Sequence, residues 1–101
     1  MLKELISMLE RHDPQKIVPH GFKYPHSYRG DYAQLAFEPA ENVTIGDMLS
    51  CAKEAVGKTY TGWKGGNFEM SEYVDVYLAC LGDTGEELGP RLLTYILAET
   101  K

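Results

Sequence analysis

The chain has 101 residues, 44% hydrophobic and 25% charged, with 15 acidic residues against 10 basic ones and a net charge of −5. This length predicts one domain over residues 1–101, and the apolar content excludes a disordered chain. The acidic balance argues against binding a DNA or RNA duplex, whose affinity comes from Lys and Arg on phosphates. A pocket for one phosphate-bearing small molecule needs only two or three local cations and stays open.

Leu2, Leu5, Ile6 and Leu9 recur at helical spacing, with Lys3, Glu4 and Glu10 between them, which predicts an amphipathic helix over 2–11. Asp13-Pro14 ends it, because the residue before proline avoids the helical region. The run KIVPHGF (16–22) reads as a short strand, and Pro19 marks an edge position or an early end. KYPHSYRGDY (23–32) reads as a turn-rich loop. AQLAFEP (33–39) alternates with a period near two and predicts a strand closed by Pro39.

Thr44 followed by Asp47 makes a weak capping box before a second helix, with Ile45, Met48, Leu49, Ala52 and Val56 on one apolar face. Gly57 supplies its end. Gly65-Gly66, flanked by KTYTGW and NFEM, is the signal of a two-residue hairpin. YVDVYLACL (73–81) predicts a strand and GDTGEELGP (82–90) a loop. In RLLTYILAET (91–100), Leu92, Leu93, Ile96 and Leu97 fit a helix, and two apolar faces also fit a central strand. The strand is preferred, since a fifth strand makes a better core. The fold class is therefore α+β, an antiparallel sheet of about five strands covered by two helices in a single small domain.

The longest apolar run is far short of the ~20 residues that span a bilayer, so no membrane segment is expected. The N-terminal stretch carries acids inside its apolar run, unlike a signal peptide. A cytoplasmic location follows as an expectation, with Cys51 and Cys80 as free thiols acting as small buried hydrophobes. His12, His20 and His26 lack a zinc spacing, so no metal is expected. The chain has no G-x-S-x-G, HExxH or P-loop. A His26–Glu38 acid–base pair is conceivable from residue type alone. No catalytic residue and no cofactor are predicted.

Two loops stand out. In HSYRGDY (26–32), Arg29 lies between Tyr28 and Tyr32, a cation able to hold a phosphate bidentately beside rings that stack on a base. A surface turn with Arg29 paired to Asp31 explains the same residues. In GWKGG (62–66) a hairpin accounts for Gly65 and Gly66 but not for Gly62 or Trp63. Trp63 either packs across the hairpin or, with Lys64 and bare backbone N–H groups, stacks a base and anchors a phosphate.

SYRGDYAQLAFEP, followed by a helix and then KTYTGWKGG, resembles the phage anti-Thoeris sponge family, which captures cyclic ADP-ribose isomers. The resemblance covers roughly residues 27–70. It implies a phage anti-defence protein that sequesters a cyclic nucleotide messenger without degrading it, in the cytoplasm of the infected bacterium, as a homodimer or higher homo-oligomer. Carried over onto matching positions, it implies ligand contacts from Tyr28, Arg29, Gly30, Tyr32, Trp63, Lys64, Gly65 and Gly66. Base stacking would fall to Trp63 or Tyr28, and pyrophosphate contact to Arg29, Lys64 and the glycine N–H groups. Arg91 is a further cation candidate on chemistry alone. Two other readings compete: a protein that binds and inhibits a host factor through the same aromatic loops, and a small cyclic-nucleotide hydrolase.

Overall fold

The structure, a computed structural model, describes residues 1–28, 34–61, 64–80 and 84–99. Its elements run α1 (Leu2–Glu10), β1 (Ile17–Ser27), β2 (Gln34–Thr44), α2 (Ile45–Ala55), β3 (Thr59–Thr61), β4 (Asn67–Glu69), β5 (Asp75–Leu78), β6 (Glu86–Glu87) and α3 (Pro90–Ala98). The α+β class holds for this small domain. Its detail differs from expectation in three respects.

First, the sheet is mixed. Four strands lie in the order β1-β2-β5-β6, and β3-β4 form a separate two-stranded ribbon. β1 and β2 are antiparallel from Ile17↔Thr44 to Ser27↔Leu35, whereas β2 and β5 run parallel, from Gln34↔Asp75 to Phe37↔Leu78. A parallel pair needs a crossover connection. Here α2 and the β3–β4 ribbon supply it, so the strand after the ribbon returns in the direction of β2.

Second, residues 90–98 are a third helix and not a strand. Pro90 sits in its first turn, where a missing N–H is harmless. Leu93, Ile96 and Leu97 are buried while Thr94 and Tyr95 between them are exposed. That is a period of 3.6, which a strand cannot satisfy. The Thr94 hydroxyl donates to the Pro90 carbonyl at 2.7 Å, inside the same turn.

Third, β1 and β2 each extend well past their expected ends, so residues 23–27 of the expected loop are strand. β1 is an edge strand, the position in which Pro19 and Pro25 are tolerated. The register shifts at Tyr24, an extra residue at φ +45° between Lys23 and Pro25. The ribbon also departs from a two-residue turn. Thr61 pairs with Asn67, so its connection spans residues 62–66, and within it Gly65 has φ +84°.

One core cluster joins the layers. Leu2, Leu5 and Leu9 of α1, Ile45, Met48, Ala52 and Ala55 of α2, and Leu93, Ile96 and Leu97 of α3 meet Val18, Phe22, Leu35, Phe37 and Val76 of the sheet. The rings of Phe22 and Phe37 sit 4.7 Å apart at its centre. Cys51 is half-buried against this core, but Cys80 is exposed, contrary to its expected burial. Among the described residues no helix is long and apolar enough to cross a membrane.

Candidate functional site

The ends of β1 and β2 carry the first candidate loop. Tyr28 follows β1 directly, and its ring stacks on Tyr77 of β5 with centroids 4.0 Å apart and planes 4° from parallel. The Tyr28 hydroxyl accepts from the Gly85 N–H at 3.2 Å, and Gln34 Nε2 donates to the Tyr77 hydroxyl at 3.2 Å. Two residues earlier, His26 places Nε2 3.0 Å from the Ala79 carbonyl and Nδ1 3.2 Å from that of Ser27. Residues of β1 thus reach across β2 onto β5. The strand between them offers Ala36, opposite both His26 and Tyr77 and fully buried, whose single methyl leaves room for that crossing.

Tyr28 therefore commits one ring face and its hydroxyl to the fold. His26 turns its nitrogens on main-chain carbonyls, while Glu38 lies opposite Lys23 in the register, so the conceivable His26–Glu38 pair does not form. Of the other residues in this loop, Arg29, Gly30 and Tyr32 lie outside the described residues, as does Trp63 of the second loop.

In the second loop Lys64, Gly65 and Gly66 are exposed at the tip of the β3–β4 ribbon. Gly65 is required there by its positive φ and not by crowding, since a Cβ would meet nothing within 4 Å. At the root of the ribbon Lys58 Nζ stands 5.7 Å over the Tyr60 ring, and burial pushes the Tyr60 phenol up to about 12.

Arg91 occupies a different place. It lines an open cleft of about 590 Å³ between β6 and the first turns of α3, together with Glu86, Glu87, Pro90, Leu92 and Tyr95. That volume is in the range of small-molecule sites. Arg91 and Tyr95 are one helical turn apart and so project side by side. Tyr95 is 67% exposed, a large ring for a surface position. Arg91 forms no ion pair among the described residues. On the opposite wall the Glu87 carboxylate lies near Gly89, with Oε1 3.9 Å from where a Cβ would sit. The negative charge at this helix N-terminus is therefore supplied from within the chain.

The cleft and the tyrosine stack are neighbours, because the β5–β6 register sets Glu87 directly opposite Tyr77. A smaller cleft of about 270 Å³ at His20, Pro39, Glu41 and Leu78 is lined by no Phe, Tyr, Trp, Arg or Lys. Sequence reasoning found Arg91 but missed Tyr95, Tyr77, Gln34 and Glu87. The signal for Tyr95 was present: Pro90 as a helix start would have placed it beside Arg91. The signal for Tyr77 and Glu87 was not, since it depends on the pairing of β5 with β6. The sequence matches no protein-family model, and no curated protein or solved structure is detectably similar to it.

Proposed function

We propose that the protein binds a nucleotide messenger, of the cyclic ADP-ribose type, and sequesters it without degrading it. The observation that carries this reading is the pairing of Arg91 with the exposed ring of Tyr95 in a cleft of ligand size. A planar base stacks on Tyr95 and a phosphate takes the guanidinium bidentately. Nanomolar sequestration needs ~12 kcal/mol. Stacking at ~1–3 kcal/mol per base and charge-assisted hydrogen bonds at ~1.5–3 kcal/mol each reach it only with several contacts. One open cleft falls short of that sum. A second protomer completes it, so the sequestering form is a homodimer or higher homo-oligomer in the cytoplasm of an infected cell.

The test is calorimetric titration with a panel of cyclic nucleotides, including cyclic ADP-ribose isomers, on the wild type and on Arg91→Ala, Tyr95→Ala, Arg29→Ala and Trp63→Ala. One ligand should bind saturably, with affinity at least tenfold weaker in Arg91→Ala and in Tyr95→Ala. Heat-denaturing the complex should release intact ligand; recovery of a cleaved product would make the protein a hydrolase instead. No binding by any nucleotide would end the reading. It would favour a protein partner, for which Tyr24, Tyr73 and Tyr95 are exposed large rings.

A further inference from the structure

We infer that Glu87 selects the ligand's base, accepting a hydrogen bond from an exocyclic amino group while Arg91 holds the phosphate. This rests on the nucleotide reading of the same cleft and adds the ligand's orientation and base class to it. The cleft has two unlike walls. Arg91 and Tyr95 stand on the α3 side, and Glu86 and Glu87 on the β6 side. Both residues of β6 thus face the cleft as carboxylates. Glu87 is the one whose carboxylate approaches Gly89 at the start of α3, and its register partner is Tyr77 of the aromatic stack.

A carboxylate on one wall repels phosphate and accepts only from donors. It therefore fixes the polarity of anything bound: anionic end at Arg91, donor-bearing edge at Glu87, ring on Tyr95. The base edges that supply such a donor are those of adenine, cytosine and guanine, each with an exocyclic amino group. Glu87 is exposed, so its discrimination comes from the charge-assisted hydrogen bond itself, which a ligand without the amino group does not make.

The experiment compares adenosine 5′-monophosphate with purine riboside 5′-monophosphate, which differs only in lacking the amino group, by calorimetry on wild type, Glu87→Ala, Glu87→Gln and Arg91→Ala. The wild type should prefer the adenosine compound by roughly tenfold to a hundredfold, the value of one hydrogen bond to a charged group. Glu87→Ala should erase the preference. Glu87→Gln keeps an acceptor oxygen and should retain part of it, and Arg91→Ala should weaken both ligands alike. Equal binding of the two compounds by the wild type would overturn the role of Glu87 and leave the nucleotide site standing. A preference that survives in Glu87→Ala would do the same. Binding of neither compound nor any cyclic nucleotide would overturn both.

Discussion

At the scale of single residues, Gly21 shows how tightly the sheet and α2 are fitted. A Cβ there would lie 2.5 Å from Val43 Cγ2 and 2.8 Å from Met48 Sδ, both on buried side chains. Neither has open space to move into, so Gly21→Ala should act as overpacking and cost about 1–3 kcal/mol. The midpoint of urea denaturation measures this, and a midpoint equal to that of the wild type would mean that α2 can lift from β1. The sequence offered no sign of this constraint. Gly21 stands near the end of the predicted strand 16–22, and only the approach of Met48 from α2 and Val43 from β2 makes it obligatory. Gly65 is the opposite case, since its role in a turn was legible from the doublet. What failed there was the turn's length, which depends on where the strand pairing stops.

At the scale of elements, α2 was the most legible because its start is encoded locally. The Asp47 N–H donates to the Thr44 hydroxyl at 3.0 Å, and the Thr44 N–H donates to the Asp47 carboxylate at 3.3 Å. The Thr44 backbone and side-chain hydrogen bonds hold the Asp47 carboxyl below its ordinary value of 3.8. A depressed carboxyl contributes stability that is present above its unfolded pKa and lost as pH falls through its folded one. Thr44→Ala should therefore cost about 1 kcal/mol near neutral pH, or about 4–8 °C in a domain of this size. The gap between variant and wild type should start to narrow below pH 3.8 and close further as pH falls through the lower folded value. Thermal melts at neutral and acid pH check both statements, and a gap that stays constant would show that the carboxylate gains nothing from the Thr44 hydroxyl. α3 was misread for the converse reason. Its capping residue, Gly89, has no side chain, and its one local signal, Pro90, also closes loops.

At the scale of the whole molecule, the features hardest to foresee are those that join distant segments. The parallel pairing of β2 with β5 links residues some forty positions apart, and β6 is two glutamates with no strand signature of their own. Yet this pairing brings Tyr77 under Tyr28, Glu87 beside Tyr77, and α3 beside Glu87, so the candidate site is a product of topology. The tie between β1 and β5 is testable in its own right. Tyr77→Ala removes a parallel ring stack, worth about 0.5–1.5 kcal/mol beyond the area it buries, and leaves Gln34 Nε2 without the hydroxyl it donates to. Because Tyr28 is also the acceptor for the Gly85 N–H, loosening the stack should free that amide before the rest of the sheet. Native-state hydrogen exchange should then show Gly85 and the ends of β1 and β2 exchanging faster, while the amides of α2 keep their protection. Tyr77→Phe keeps the ring and should show a much smaller change. If Tyr77→Ala lowers protection uniformly, the aromatic row is part of the global core. If it acts locally, the row is a separable clamp holding β6, and with it Glu87, in register with the cleft.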